Sequence, residues 1–139
     1  MLKNINPLLG PELLYVLCAM GHGEDIAIVD RNYAAATAGP EVIRYEGVNA
    51  PALLDAILTV FPVDKKGEAV VRMQKTDHPD EILPVMQDFI TVFAKHYHDI
   101  QVDSLTTSNF KLRAARSAVI VVTGEARVYG NILVRKGVL

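Results

Sequence analysis

Two short runs, DIAIVD at Asp25–Asp30 and VIVVTG at Val119–Gly124, constrain the fold of this chain more than any other feature. Neither shows the alternation of polar and apolar residues that marks a strand with one wet face. Unbroken apolar runs of this length, rich in Val and Ile, read as strands buried on both faces, and sheets achieve that when helices cover both sides.

The remaining segments fit such an architecture. Residues 11–20 (PELLYVLCAM) predict a helix, with Pro11 suited to the first helical position and Gly21 to the position just past the end. Residues 41–45 and 68–74 predict strands, and 50–61 repeats apolar residues at helical spacing. After the Asp77-His78-Pro79-Asp80 break, an amphipathic segment runs from about 80 to 97, where Pro84 is tolerated only near the first turn. Residues 100–105 predict a strand, 108–118 a helix, and YGNILVRKG at 129–137 a last strand. Strands alternating with helices give an α/β class, a three-layer α/β/α sandwich around a mostly parallel central sheet. No repeat, low-complexity tract or linker interrupts the chain, so residues 1–139 are expected to form a single domain.

Composition narrows function. Half of the residues are hydrophobic and 22% are charged, which predicts a packed core. A net charge of −2 gives no electrostatic reason to bind nucleic acid or an anionic membrane. No stretch approaches the ~20 apolar residues of a membrane span, and Pro7, Gly10 and Pro11 break the amino terminus before a signal-like run develops. A cytoplasmic location is therefore expected. The lone cysteine, Cys18, suits a reducing compartment and, among apolar neighbours, is expected to be buried.

Nucleotide-binding glycine loops, the nucleophile elbow and the HExxH zinc motif are absent. His96 and His98 with Asp77 or His78 lack a convincing third ligand, so no metal is expected. His22 stands apart. It lies between Gly21 and Gly23 in a turn from helix to strand, where flanking glycines let a ligand approach and leave the imidazole unobstructed. Its ordinary pKa near neutrality suits proton transfer. Spacing alone equally allows a helix-terminal His favoured by the helix dipole. Asp30, at the carboxyl end of its strand, can bind a hydroxyl, orient an imidazole or cap the next segment. Tyr129-Gly130-Asn131, following Thr123-Gly124-Glu125, supplies a phenol, a backbone amide and a carboxamide suited to sugar hydroxyls, or else makes a turn with Asn in an unusual conformation.

Taken together, MLKNINPLLGPELLYVLCAMGHGEDIAIVD, GPEVIR and TGEARVYGNILVRKGV resemble the ribose pyranase and fucose mutarotase family, the fucose branch more closely, over nearly the whole chain. The resemblance implies a cofactor-independent isomerase acting on a free monosaccharide. His22 would be its proton donor, and Asp30 and Tyr129, Gly130 and Asn131 would bind sugar. It also implies a ring-shaped homo-oligomer, a decamer of stacked pentameric rings, with sites completed by neighbouring subunits. Anomer exchange of L-fucose or a related sugar is the leading expectation. Pyranose–furanose exchange on ribose or another aldose is the enzymatic rival, and non-catalytic sugar binding is the rival of another class. The chain departs from the pattern near substrate. Asn32-Tyr33-Ala34-Ala35 stands where the family has a Phe-Pro pair. Thr107 stands where the fucose branch has Arg and the ribose branch His, and Lys111 replaces an aromatic. Thr107 is expected to face substrate, and with Lys111 it leaves the natural sugar open.

Overall fold

The computed structural model describes residues 1–139. In chain order the elements are α1 (Pro11–Ala19), β1 (Asp25–Val29), β2 (Glu41–Tyr45), α2 (Ala50–Leu58), β3 (Val70–Met73), α3 (Pro84–His96), β4 (Asp103–Leu105), α4 (Thr107–Ala114), β5 (Val119–Thr123) and β6 (Ile132–Arg135). The six strands form one sheet in the order β2-β5-β1-β6-β3-β4. β1, β2 and β5 pair in parallel, as do β3 and β4, while β6 runs antiparallel between β1 and β3.

The two apolar runs occupy the middle of this sheet. Along β1, Ile26 and Ile28 face one core, and Ala27 and Val29 face the other. β5 divides likewise, with Val119 and Val121 on one side and Ile120 and Val122 on the opposite side. The larger core packs the sheet against α1, α2 and α3 through Leu13, Leu53, Leu54, Phe89 and Phe93. The smaller core packs the other face against α4 through Phe110 and Ala114. The architecture is the expected α/β/α sandwich. A fully buried Val or Ile contributes about 1.5–3 kcal/mol relative to an exposed one, so burial on both faces holds β1 and β5 firmly in the sheet.

Local chemistry sets the helix ends. Pro11, Pro51 and Pro84 sit in the first turns of α1, α2 and α3, where the missing N–H costs nothing. Asn49 Oδ1 accepts from Ala52 N–H at 2.9 Å, and Thr106 Oγ1 accepts from Asn109 N–H at 3.2 Å, capping α2 and α4. Pro84 therefore opens α3, four residues later than the amphipathic pattern suggests. No helix is long and apolar enough to cross a membrane.

One expectation fails. Cys18 is exposed, not buried. In α1, Leu13, Val16 and Leu17 turn inward, which leaves Cys18 and Tyr15 on the opposite face, Tyr15 at 75% exposure. A helix apolar on both faces cannot signal its inward side by composition.

Candidate active site

Because β6 is antiparallel, its amino end meets the carboxyl ends of β1, β3, β4 and β5 along one sheet edge. Ligands of α/β sheets bind outside that edge. Asp30 follows β1 directly and is 7% exposed. Its backbone N–H donates to Asn131 Oδ1 at 2.8 Å, and its Oδ1 accepts from Asn32 N–H at 2.9 Å. Asn131, immediately before β6, is 3% exposed, and its carbonyl accepts from Met73 N–H at 3.1 Å. The ends of three strands are thus joined at one point.

Tyr129 takes φ = 61°, left-handed backbone that a large side chain rarely adopts. The unusual conformation in this segment belongs to the tyrosine, not to Asn131. Its phenol oxygen lies 3.2 Å from Thr76 Oγ1 and accepts from Thr76 N–H at 3.3 Å. Hydrogen bonding with Thr76 holds this phenol below its ordinary pKa. Gly130 is buried, and its place is fixed by crowding. A Cβ there would come 2.7 Å from Glu125 Cγ and 3.1 Å from Arg127 O. Glu125 itself is 3% exposed and paired with Arg127 at 2.9 Å, and Arg127 reaches on to Asp88 at 2.8 Å.

Asp30, Thr107, Lys111, Tyr129 and Asn131 line a single cavity of about 420 Å³. Asn32, Tyr33, Ala34, Met73 and Val128 complete the wall. Tyr33 packs edge-on against Phe110 with ring centroids 6.3 Å apart. Burial, with the charge of Asp30 added, raises its phenol pKa and keeps it protonated. Carboxylate, carboxamide, phenol and ammonium groups set around Met73, Val128 and Ala34 match a sugar, with its ring of hydroxyls and apolar C–H faces. Sequence reading missed Met73 and Val128, whereas the Asn32–Ala35 run expected near substrate does contribute Asn32, Tyr33 and Ala34 to the wall. Met73 alone carried a usable signal, as the last residue of its strand. Thr107 Oγ1 is buried without a hydrogen-bond partner, the one side-chain polar atom so placed. Such a group forgoes about 1–3 kcal/mol.

His22 is elsewhere. It precedes β1, at the amino end of the strand whose carboxyl end carries Asp30. Five strand residues at ~3.3 Å rise put those ends about 15 Å apart. Within one chain the imidazole therefore adjoins neither Asp30 nor the Tyr129–Asn131 segment. Its carboxylate neighbour is Asp64, with Nε2 to Oδ2 at 3.5 Å. Asp64 is held below its ordinary pKa by N–H groups of Lys66 and Lys65, with His22 adding to the effect. Gly23 takes φ = 90° and donates its N–H to Lys136 O at 2.9 Å, clamping the turn to the end of β6. His22 and Lys136 line a cavity of about 490 Å³ with Leu14, Leu17, Cys18 and Val60. No group of three His, Cys, Asp or Glu side chains is placed to hold a metal ion. His96 instead sits 2.6 Å from Asp55.

The family model of the RbsD / FucU transport protein family matches residues 3–139. The chain belongs to this family. A fucose mutarotase of Danio rerio is 35% identical, an alignment covering 99% of this chain and 94% of that protein. Among solved structures, the fucose mutarotase of Streptococcus pneumoniae in complex with L-fucose superposes with a TM-score of 0.91 at 34% identity, covering 99% of each chain. Bacillus subtilis RbsD complexed with D-ribose shares the fold at a TM-score of 0.74 and 20% identity, covering 100% of this chain and 99% of that one. This RbsD/FucU-family member therefore has an enzyme as a relative along its whole length.

Proposed function

We propose that this family member is a cofactor-independent isomerase, a mutarotase that interconverts the anomers of L-fucose or a related free monosaccharide. In this reading residues 1–139 act as one cytoplasmic domain. One observation carries it: Asp30, Tyr129 and Asn131, 101 residues apart in sequence at their extremes, converge on one cavity at the carboxyl edge of the sheet. The full-length likeness to fucose mutarotases supports the same reading.

A cyclic aldose is a hemiacetal. To open it, a proton leaves the anomeric hydroxyl, a proton reaches the ring oxygen, and the bond between that oxygen and the anomeric carbon breaks. Rotation of the free aldehyde and closure on its other face give the other anomer. The steps need acid and base groups in hydrogen-bond reach, which typically supply ~10²–10⁴-fold. Asp30 and Asn131 hold sugar hydroxyls, Thr107 lines the wall, and Gly130, buried against Glu125 and Val85, sets the course of the backbone between Tyr129 and Asn131. Tyr129, its phenol poised by Thr76, takes part in the second proton relay.

His22 protonates the ring oxygen, and the separation of the two edges requires that it come from another copy. The face around His22 supports this, because it leaves Tyr15, Cys18, Val60, Val138 and Leu139 uncovered. A heterologous contact of that face with the Asp30 edge of a neighbour closes a ring. We assign the assembly as a homo-oligomer, a decamer of stacked pentameric rings.

Saturation-transfer NMR on free L-fucose tests the proposal, since it reads anomer exchange at equilibrium. The protein is expected to accelerate exchange and the His22→Ala variant to lose that acceleration. Exchange no faster than in buffer, or at the wild-type rate without the imidazole, overturns the assignment. Ring-size exchange without anomer exchange would instead mark a pyranase.

A further inference from the structure

The cavity holding Asp30, Tyr129 and Asn131 does not end at Thr107. On the other side of that residue lies a second cavity of about 350 Å³, walled by Gln74, Lys75, Thr76, Asp77, Pro79, Thr106, Thr107 and Ser108 with no hydrophobic side chain. Thr107 belongs to both walls, and the Tyr129–Thr76 contact marks the boundary beside it. Thr107 is short, and it shares the partition between the two spaces with the Tyr129–Thr76 pair. Its Oγ1 has no partner, and nothing fixes the hydroxyl where it is. A helical threonine divides between two χ1 rotamers, and a turn of about 120° redirects the hydroxyl. Lys111, four residues on and so on the same face of α4, offers an ammonium to the first cavity.

The annex carries one net negative charge. Lys75 is neutralised by Glu81 at 2.9 Å, Asp77 adds a carboxylate, and Asp30 faces Lys111 across the first cavity. The lining suits hydroxyl groups better than a carboxylate or a phosphate. It offers nothing to a methyl group.

We infer that the annex beyond Thr107 is a subsite for a hydroxylated exocyclic carbon, so that among neutral aldoses the site favours an intact hydroxymethyl or longer polyhydroxy tail over the methyl group of a 6-deoxy sugar such as L-fucose. This rests on the cavity being the sugar site of the proposed mutarotase and names what that site selects. Thr107 is then a specificity-determining residue, donating to or accepting from the tail hydroxyl.

The test compares three sugars that differ only at one carbon: L-fucose, L-galactose and L-galacturonate, bearing methyl, hydroxymethyl and carboxylate. Affinity is read by titration calorimetry and exchange by saturation-transfer NMR on the intact assembly. The wild type is expected to favour L-galactose over L-fucose by about fivefold, the effect of one neutral hydrogen bond. Thr107→Val should erase that ratio, and Thr107→Ser should keep it. Equal or better binding of L-fucose, a ratio unmoved in Thr107→Val, or tighter binding of the uronate each overturns the subsite as described. Preferential binding of L-galactose without accelerated exchange would uphold the subsite and overturn the mutarotase. Absence of binding by all three sugars would overturn both.

Discussion

The backbone N–H of Asp30 and the side-chain oxygen of Asn131 meet at 2.8 Å in the interior, joining residues 101 positions apart. Neither terminus can place its half of the proposed sugar cavity without the other. Asn131→Ala removes the acceptor and strands a buried donor, which costs about 1–3 kcal/mol. Chemical denaturation should show a loss of that size, with sugar affinity falling as Asp30 loses its register. A variant with wild-type stability would show that water replaces the amide oxygen.

His22 and Asp30 lie at opposite ends of β1, which makes the division of labour between copies measurable. His22→Ala and Asp30→Asn should each be inactive as pure assemblies. Dissociated, mixed in equal amounts and reassembled, they should regain anomer exchange at about a quarter of the sites, since a random neighbour pair supplies both intact halves that often. Mixtures that stay inactive would place both residues of each site in one chain, or His22 in none.

The sheet was legible because its two central strands are apolar on both faces, a pattern that only burial between helix layers satisfies. Helix starts were legible too, since Pro11, Pro51 and Pro84 mark first turns chemically. The site was legible only in part. Asp30 and Tyr129 stand next to strand ends, so an argument from edges finds them. The separation of His22 follows from strand direction, which local sequence does not encode. Cys18 misled because α1 carries apolar residues on the face away from its own core, where the proposed neighbour packs. The buried, unpartnered hydroxyl of Thr107 is a property of three-dimensional surroundings, and no spacing predicts it.

Gly130→Ala tests the segment between the two side chains proposed to bind sugar. The added Cβ would lie 2.7 Å from Glu125 Cγ, 3.1 Å from Arg127 O and 3.3 Å from Val85 Cγ2. Backbone has to move, and overpacking of this kind costs about 1–3 kcal/mol. The expected result is a lower melting temperature together with weaker sugar binding, because Tyr129 and Asn131 shift with the strained peptide.

Glu125 gives a pH signature. Hydrogen bonding from Arg127 holds its carboxyl below the ordinary value, with burial opposing and the Arg127 and Ala50 N–H groups assisting. A carboxyl whose folded pKa is depressed stabilises the fold above its unfolded pKa and loses that contribution as pH falls through the folded one. The pair is worth about 1–2 kcal/mol once the partial exposure of Arg127 is discounted. Thermal melts of the wild type and Glu125→Gln should therefore differ most near neutrality and converge as pH drops below the ordinary carboxylate range. A difference independent of pH would mean that the carboxamide disturbs packing and not charge.

Lys136 shows how the far end of the chain governs the turn that carries His22. Its Nζ donates to Leu17 O at 2.6 Å and to Met20 O, two carbonyls at the end of α1, whose last turn has no basic residue of its own. Its backbone accepts from Gly23 N–H at 2.9 Å and donates to Glu24 O at 2.8 Å, so one residue holds both flanks of the turn. Lys136→Met keeps an unbranched apolar stem but removes the ammonium that lies 5.9 Å over the Phe61 ring, and leaves the carbonyls without their donor. The turn should loosen while the proposed sugar cavity, at the opposite edge of the sheet, stays intact. Anomer exchange is then expected to fall at saturating sugar, with affinity within about twofold of wild type, the split that separates loss of a catalytic geometry from loss of binding. Hydrogen exchange should quicken at Gly23 and at Met20, whose N–H bonds to Val16 O at 2.9 Å in the last turn of α1. If affinity collapses along with the rate, Lys136 supports the whole fold, and the imidazole is positioned by something else.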